Sequence, residues 1–526
     1  MRLAHYWQPE DIHAADFAVL GVAQEDLLDS LPGGPASALD QWAITSPRAT
    51  CLVTEGHTWS YAQVALSKNQ LAADFSRLGI KPVQRVVLCL ENGLPLVIAL
   101  LALNQIGAIA VILSPRLTDF EQQKIIDHAL PIGVIKAATE LPATTTEQVA
   151  GSAEAGFSIH GLKWEPREAP PEIQLVNSRS PIAAMIYTTG TTGAPKGVML
   201  TNQNLMFTGF VSGKLRGMTP EDRVLTALPL SHAFGLSSVL CSVLVQGASL
   251  YLEATFSAKR VIKTFYEQGI TGFLGVPAMY SQILDSHLGE MKTFPALRFI
   301  FSGGAPLDLK LKSAVEQFFG LPLHNGYGMT ESGPTIAQTR LYAPLSDTSV
   351  GFVIPGVSYR IEPLSKADSG VGELQVSGPN IMAGYFRAQT LTESVIKEGW
   401  LSTGDLAKVS EIGTLEIVGR IKELIIRNGF NVYPPEVEAA LMSLPEVKQA
   451  AVVGDRQAGN ESILAFVEIW SDHRFDDEEA RKALKQKLAG YKLPDRIQVV
   501  DALPAAPSGK ILKHRLTING LDRGVD

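Results

Sequence analysis

MIYTTGTTGAPKGVML, residues Met185 to Leu200, carries the most specific local pattern in the chain. An apolar run leads into ten residues that hold four threonines, three glycines and a lysine. Glycines let a ligand approach the backbone, hydroxyls donate hydrogen bonds, and a lysine adds positive charge, so the pattern suits a phosphate chain. A Walker A loop needs Gly-x4-Gly-Lys-Ser/Thr, but Lys196 follows Pro195 and precedes Gly197. The stretch therefore predicts a phosphate-binding loop outside the P-loop NTPase class, with candidate ligands Thr188, Thr189, Gly190, Thr191, Thr192 and Lys196.

The chain's charge and cysteine content narrow the class of protein. Its 526 residues carry a net charge of −8, which argues against a general nucleic-acid binder because such proteins usually present a basic face. Cys51, Cys89 and Cys241 are far apart and form no CxxC pair, which predicts reduced thiols in a cytoplasmic protein. The N-terminus shows no signal-peptide core.

One apolar stretch, Leu94 to Leu113, approaches the length of a membrane span. Asn104, Gln105 and Gly107 interrupt it, and a polar segment follows at once. We therefore expect a buried helix that ends near Gln105 and then a buried strand, and no integral membrane insertion.

Strand-like and helical stretches alternate over most of the chain, which favours α/β layers with parallel sheets. After about residue 350 the strands look shorter and antiparallel, and a compositional break follows Gly419. We expect an irregular lead-in over residues 1–35, a large domain over residues 36–419 and a small α+β domain over residues 420–526.

Three further segments carry residues suited to a nucleotide. FSGGAPL, Phe301 to Leu307, ends a strand in a glycine turn where a flat ring could lie against backbone. In NGYGMTE, Tyr327 offers a face for a purine and Glu331 offers a hard oxygen ligand for Mg²⁺. STGD is predicted to be a loop in which Asp405 can accept both ribose hydroxyls.

Together these segments resemble the adenylate-forming superfamily of acyl-CoA synthetases, peptide-synthetase adenylation domains and luciferases. The resemblance implies that the threonine-glycine loop holds the phosphates of ATP, that Thr330 contacts the α-phosphate and that Glu331 binds Mg²⁺. It implies that Asp405 and Arg420 hold the ribose. It also implies that residues of FSGGAPL and NGYGMTE surround adenine: Gly303, Gly304, Ala305, Pro306, Asn325, Gly326, Tyr327, Gly328 and Met329.

The same resemblance extends to the C-terminal part of the chain. GRIKELI resembles the family's hinge, with Lys422 at the pivot, and LPAAPSGKILK resembles its lysine loop, with Lys510 as the catalytic lysine. The segment RNGFN would line a thiol channel through Arg427, Gly429 and Phe430. The implied fold is α/β: a large N-terminal domain of layered, parallel-rich sheets with helices and a β-barrel-like part, followed by a small, mobile α+β domain.

LPLSHAFGLSSVL resembles the segment that gates the acyl pocket, with His232 in the gate. By resemblance to coumarate-type ligases, the pocket comprises Phe234, Ser238, Ala278, Gly303, Pro334 and Thr335. From Pro229 to Leu250 there is no charged residue. A buried charge needs a partner, so this absence argues against an amino acid or a dicarboxylate and favours a neutral aryl or medium-chain carboxylate.

The expected function is an AMP-forming acyl-CoA ligase that uses ATP, Mg²⁺ and CoA. Two alternatives remain open at this stage: an enzyme that loads an acyl group onto the phosphopantetheine of a carrier protein supplied in trans, and a non-catalytic ATP-binding module. The sequence also leaves open which acid is used and whether the chain forms a homodimer.

Overall fold

The computed structural model describes residues 4–6, 10–138, 158–159, 162–168, 180–189, 195–286, 293–364, 370–427, 430–457, 460–470, 473–505, 511–517 and 520–521. The predicted alternation of strands and helices is confirmed. The α-helices are Glu10–Leu20, Pro35–Thr45, Tyr61–Arg77, Leu94–Gln105, Asp119–Ala129, Asn202–Leu215, Ser242–Gln246, Ala258–Gln268, Pro277–Ser286, Leu309–Phe319, Gln389–Val395, Pro434–Met442 and Asp477–Lys485. A π-helix spans Phe234–Cys241, and short 3-10 helices span Thr330–Ser332, Ile421–Glu423, Gly490–Lys492 and Lys513–Arg515.

Within the described residues, one sheet has eight strands around a parallel centre. Its order is Gly384–Tyr385, Pro195–Thr201, Ile182–Thr189, Ile109–Leu113, Arg85–Cys89, Gly133–Ala137, Leu162–Pro166 and Ser158–Ile159. Arg85–Cys89 and Ile109–Leu113 pair in parallel and are buried throughout, as expected of strands covered on both faces. The candidate phosphate loop joins two neighbouring antiparallel strands of this sheet.

A second sheet has nine strands within the described residues. Its order is Phe352–Val353, Thr335–Gln338, Leu323–Gly328, Phe299–Ser302, Gly272–Gly275, Arg223–Thr226, Ser249–Leu252, Thr50–Thr54 and His57–Ser60. Strands Leu323–Gly328, Phe299–Ser302 and Gly272–Gly275 run parallel, so their carboxyl ends meet at one edge. Ligand sites of open α/β sheets form at such an edge, and both predicted adenine segments lie there.

The third large sheet is antiparallel, as predicted for the region after residue 350. Its described strands are Ala4–Tyr6, Ser358–Pro363, Gly372–Ser377, Trp400–Val409, Ile396–Lys397 and Leu415–Arg420. The prediction of a loop at STGD is wrong, because these residues lie inside the ten-residue strand Trp400–Val409. Asp405 pairs in register with Arg420 on the next strand, and this pairing holds the segment extended.

The expectation of an irregular segment over residues 1–35 is also wrong. This region contributes strand Ala4–Tyr6 to the antiparallel sheet and helix Glu10–Leu20. Asp16 and Arg340 form a buried ion pair with both side chains fully enclosed and a shortest N–O distance of 2.6 Å. Arg340 donates two hydrogen bonds to Asp16, and the Tyr342 hydroxyl donates a third. The helix is therefore fixed to the large domain by a partner 324 residues away.

The apolar stretch from Leu94 behaves as predicted: helix Leu94–Gln105 is followed by the buried strand Ile109–Leu113. Within the described residues, no helix combines the length and the apolar character that crossing a membrane requires.

The C-terminal region has its own hydrophobic core, with members between Ile425 and Leu488. Its described strands are Ile425–Arg427, Phe430–Val432, Val447–Gln457, Asn460–Ile469, Arg496–Val499, Leu516–Thr517 and Gly520–Leu521. Helix Asp477–Lys485 starts with three acids and ends with lysines, which suits the helix dipole, and Asp476 caps its N-terminus.

Candidate active site

The phosphate-loop segment is a β-hairpin. Strand Ile182–Thr189 pairs antiparallel with Pro195–Thr201, so Lys196 lies opposite Thr188 and Pro195 lies opposite Thr189. Gly190, Thr191 and Thr192, which stand between these two strands in the sequence, lie outside the described residues. The pairing holds Thr188 and Lys196 at the base of the hairpin, where both are half-buried.

Tyr385 links this hairpin to the candidate metal ligand. It pairs with Val198 across the sheet, and the Lys196 ammonium lies 5.5 Å from the centre of its ring. Its hydroxyl donates to Glu331 Oε1 at 2.8 Å. Burial and the neighbouring Glu331 carboxylate raise the pKa of Tyr385 well above its usual value, so the phenol keeps the proton that it donates. The motif search missed Tyr385 because strand pairing brings it here from a distant segment.

The carboxylate of Glu331 fits a magnesium–nucleotide complex. It lies on the short helix Thr330–Ser332 just after strand Leu323–Gly328, and both Thr330 and Glu331 are half-buried. The main chain is fixed by a 2.9 Å hydrogen bond from Met382 N to Glu331 O. Among the described residues, no group of three His, Cys, Asp or Glu side chains could hold a metal by itself. One carboxylate suffices for Mg²⁺ that is otherwise bound by phosphates and waters.

Asp405 lies at the centre of a second network. The Tyr327 hydroxyl donates to Asp405 Oδ2 at 2.5 Å, and Arg420 Nε lies 2.9 Å from Oδ1. Burial, followed by the Asp405 charge, raises the pKa of Tyr327 well above its usual value. Burial alone would lower the pKa of Arg420, but the nearby carboxylates of Asp405, Glu423 and Glu331 raise it. The two candidate ribose residues, Asp405 and Arg420, are thus in direct contact.

The predicted adenine segments flank the carboxyl edge of the nine-stranded sheet. Strand Phe299–Ser302 leads into Gly303, Gly304, Ala305 and Pro306, and Gly304 has a φ of +79°, which favours glycine. Asn325 is buried and donates to the carbonyls of Thr348 and Ser349. It therefore shapes the segment through backbone contacts. Tyr327 and Gly328 pair with the antiparallel strand Thr335–Gln338, and Met329 N donates to Pro334 O at 3.0 Å.

Several predicted acyl-pocket residues come together. A Cβ added to Gly303 would lie 3.2 Å from the Phe234 ring, closer than side chains ordinarily pack, so glycine lets that ring lie against the backbone. Thr335 Oγ1 lies 3.5 Å from Ser238 Oγ, and both residues are buried. Ala278 packs against the same core as Phe234, and Pro334 is buried next to Thr335.

His232 stands two residues before Phe234, the first residue of the predicted pocket. Its carbonyl accepts from Leu236 N at 3.0 Å at the entry to the π-helix Phe234–Cys241. The side chain keeps an exposed edge, and the protein packed around the rest of the ring lowers its pKa by desolvation. A neutral imidazole is therefore present at neutral pH. Single-turn π segments inside helices occur often at functional sites.

A buried cation adjoins the acyl pocket, although the Pro229–Leu250 segment has no charged residue. Arg216 follows helix Asn202–Leu215 and donates to the carbonyl and the hydroxyl of Ser238. Burial lowers the pKa of Arg216 to about 9, so it remains charged at neutral pH. Inspection of the pocket motif alone missed it, because Arg216 stands about a dozen residues before the motif begins.

The predicted hinge and thiol channel lie in the small C-terminal region. Lys422 is exposed on the short helix Ile421–Glu423. Arg427 is tied to Asp495 at 2.6 Å and to Leu493 O at 2.7 Å. Phe430 is 55% exposed and stacks on Tyr491 at 4.7 Å between ring centres. Gly429 and Lys510 lie outside the described residues.

Lys513 connects the lysine loop to the hinge. Its ammonium lies 3.0 Å from Glu423 and 2.8 Å from Glu438. Burial opposes its charge, but the two carboxylates outweigh it and raise the pKa of Lys513. The segment that begins three residues after Lys510 is thereby fastened to the hinge helix.

Comparison with known proteins identifies the family. Residues 39–386 match the family described as AMP-binding enzyme, and residues 436–510 match the AMP-binding enzyme C-terminal domain. A feruloyl-CoA synthase of Amycolatopsis sp is 32% identical over 89% of this chain and 95% of the relative. 4-Coumarate–CoA ligase 1 of Arabidopsis thaliana is 30% identical over 89% of each chain.

A solved structure that contains an acyl-adenylate intermediate also resembles this chain. The o-succinylbenzoate CoA synthetase of Bacillus subtilis in complex with its acyl-adenylate matches with a TM-score of 0.76 and 28% identity, over 91% of this chain and 97% of that one. The same enzyme with ATP and a magnesium ion matches with a TM-score of 0.76. The chain therefore belongs to the family of AMP-binding enzymes. It is an AMP-forming acid–thiol ligase that activates a carboxylate with ATP and Mg²⁺ and passes the acyl group to CoA.

Proposed function

We propose that the chain converts an aryl carboxylic acid to its CoA thioester and that the residues assembled above perform the two steps. The observation that supports this most strongly is the convergence of distant segments on two neighbouring clusters of polar and charged side chains. Lys196, Tyr385 and Glu331 form one cluster, and Asp405 with Arg420 forms the other. The charge of Glu331 acts on Arg420, so the two clusters are neighbours.

In the first step the carboxylate attacks the α-phosphorus of ATP and pyrophosphate leaves. We assign the phosphate chain to the hairpin that carries Thr188 and Lys196, the ribose to Asp405 and the α-phosphate to Thr330. Glu331 would hold Mg²⁺, which supplies charge neutralisation when it is bound. Lys510 neutralises the charge that builds up on the reacting phosphate. Catalysis in this step is mostly positioning and electrostatics.

In the second step the thiol attacks the acyl-adenylate and AMP leaves. We propose that the region over residues 420–526 rotates about Lys422 relative to residues 36–419, which removes Lys510 and brings up the segment Arg427–Phe430. An exposed residue on a short helix just after a strand suits such a pivot, because it absorbs a backbone rotation without losing buried contacts. The contacts of Lys513 with Glu423 and Glu438 support this proposal, since they make the lysine loop follow the hinge.

The preference for an aryl group rests on the pocket and on the relatives. The predicted pocket contains the aromatic ring of Phe234, which lies against Gly303. The relatives' names specify feruloyl, 4-coumarate and 2-succinylbenzoate groups, all of them aromatic. The absence of an acid from Pro229 to Leu250 argues against an α-amino acid, whose ammonium group would need a partner.

A hydroxylamine-trapping screen over a panel of aryl, medium-chain and amino acids tests the proposal. We expect ATP-dependent hydroxamate formation with aryl acids and none with α-amino acids. Parallel incubations with CoA and with a phosphopantetheinylated carrier protein then identify the acceptor. Exclusive transfer to the carrier protein would support the loading enzyme, and ATP binding with no acid-dependent pyrophosphate release would support a non-catalytic module.

A cytoplasmic location and a homodimer belong to the same proposal. Fractionation of cells tests the first, and light scattering of the purified chain tests the second. A monomer mass would exclude the homodimer.

A further inference from the structure

The phosphate hairpin, which carries Thr188 and Lys196, has a second face that the candidate site does not use. Thr188 pairs with Lys196 across the two strands, and Tyr187 pairs with Gly197, the next position along. Because successive side chains point to opposite faces of a strand, Tyr187 lies on the face opposite Thr188 and Lys196. Helix Asp119–Ala129 packs on this second face. Contacts on this side can therefore act on the phosphate-binding residues through the strands alone.

On this second face, the Tyr187 ring lies directly against Gly197. A Cβ added to Gly197 would lie 3.0 Å from Tyr187 Cζ and 3.1 Å from its hydroxyl oxygen, closer than side chains ordinarily pack. A glycine inside a strand weakens it, because glycine has no side chain to pack and leaves the backbone more freedom. The Tyr187 ring supplies the missing packing at the position next to Lys196.

His128 holds the hydroxyl end of the Tyr187 ring. Its Nδ1 lies 2.9 Å from the Tyr187 hydroxyl, and the two rings meet edge-on with their centres 5.6 Å apart. Burial raises the pKa of Tyr187 above its usual value, although the charges of Arg85 and Arg387 oppose this, so the phenol keeps its proton. Burial and the charge of Arg387 lower the pKa of His128, so its imidazole is neutral at neutral pH. The hydroxyl therefore donates, and the unprotonated Nδ1 accepts.

His128 also contacts the segment on the other side of Gly197. Its ring lies edge-on to the Phe386 ring, with the centres 5.8 Å apart. Phe386 N in turn donates to Gly197 O at 2.8 Å. The helix end that carries His128 is itself fixed, because Arg85 Nε donates to the carbonyl of the next residue, Ala129, at 2.7 Å. One imidazole thus supports both neighbours of Gly197 from a fixed helix end.

We propose that His128 is a positioning residue for ATP binding. Its hydrogen bond holds the Tyr187 ring against Gly197, and the ring stiffens the strand at that point. Thr188 and Lys196, on the other face, are thereby kept where they meet the phosphate chain. Because His128 lies on the opposite side of the sheet from the phosphates, it acts through Tyr187 and not by contact with the nucleotide. This inference rests on the proposed assignment of the phosphate chain to the hairpin.

Titration calorimetry of Mg·ATP gives the dissociation constant of each variant without turnover. His128→Leu removes the hydrogen bond, His128→Asn offers a side-chain oxygen that can accept the same bond, and Tyr187→Phe removes only the hydroxyl. Lys196→Met tests the phosphate assignment itself. The matched controls are His57→Leu and Tyr266→Phe, both at exposed positions. Misfolded protein lowers the number of binding sites in the titration but leaves the dissociation constant of the folded fraction unchanged, so the constant separates positioning from stability.

We expect His128→Leu and Tyr187→Phe to bind ATP about three- to tenfold more weakly than the wild-type chain, the range that one hydrogen bond between neutral groups allows. His128→Asn should recover most of that loss. Lys196→Met should weaken binding at least about tenfold, because it removes a charge-assisted contact. Both controls should keep the wild-type affinity.

Wild-type affinity in either His128→Leu or Tyr187→Phe, together with weakened binding in Lys196→Met, would overturn the positioning role and leave the proposed function standing. A His128→Asn variant that binds as weakly as His128→Leu would also overturn it. If His128→Leu fails to fold, Tyr187→Phe decides. Wild-type affinity in Lys196→Met would instead refute the assignment of the phosphates to the hairpin.

Discussion

Replacing Tyr385 by phenylalanine removes one hydroxyl from the contact between the phosphate hairpin and the candidate magnesium ligand. The ring stays, and with it the face that lies 5.5 Å from Lys196. What is lost is the 2.8 Å hydrogen bond to Glu331 Oε1. Tyr385 is 6% exposed, so the bond is made largely out of contact with water.

The size of the effect follows from the type of bond. A hydrogen bond to a charged group contributes about 1.5–3 kcal/mol, and the half-buried Glu331 can recover part of it from water. We therefore expect the lower end, about 1.5 kcal/mol, which corresponds to a roughly tenfold weaker affinity for Mg·ATP. The loss arises because Glu331 is no longer held in one orientation toward the metal.

Titration calorimetry of ATP with and without Mg²⁺ measures this directly and does not depend on turnover. The affinity of Tyr385→Phe should fall about tenfold with Mg²⁺ and much less without it. Tyr266→Phe is the matched control, because Tyr266 is 51% exposed on a surface helix. Equal affinities of Tyr385→Phe and the wild-type chain in the presence of Mg²⁺ would refute the positioning role.

Two further predictions concern stability. Burial, and then the charge of a nearby lysine, lowers the pKa of His324 to about 4, whereas the unfolded chain binds that proton near pH 6.5. The wild-type chain should therefore lose up to about 3 kcal/mol of stability as the pH falls from 6.5 to 4, and His324→Asn should lose less. Parallel pH profiles of chemical denaturation for the two proteins would contradict this prediction. Asp16→Ala leaves Arg340 buried without its ion-pair partner, so it should lower the free energy of unfolding by about 3–5 kcal/mol in the same assay. The control Asp29→Ala changes an exposed position and should alter the free energy of unfolding little. A loss below about 1 kcal/mol in Asp16→Ala would show that the pair contributes no more than a surface ion pair.

The fold class was predictable because its signals are local. Buried strands such as Arg85–Cys89 and Ile109–Leu113 are apolar over most of their length, and the helix between them, Leu94–Gln105, has proline in its first turn. The candidate nucleotide residues were also named from local motifs, since glycines, threonines and acids stand together in the sequence. The roles of these residues remain predictions.

Contacts between distant segments escaped prediction. Helix Glu10–Leu20 is fixed by Arg340, and no pattern within residues 1–35 announces that partner. Tyr385 and Arg216 reach the site through strand pairing and helix packing, which depend on the assembled fold. Asp405 was assigned to a loop because glycine and polar residues surround it, but pairing with Arg420 keeps it in a strand.

The claim that Lys510 serves adenylate formation and then withdraws is tested most directly by measuring both half-reactions of the variant Lys510→Ala. Adenylate formation is followed as acid-dependent pyrophosphate release, and thioester formation is followed from synthetic acyl-adenylate and CoA. If one lysine serves the first step and then withdraws, the variant should lose adenylate formation almost completely and keep most of the thioester activity. Equal loss of both activities in a folded variant would contradict the two-step account.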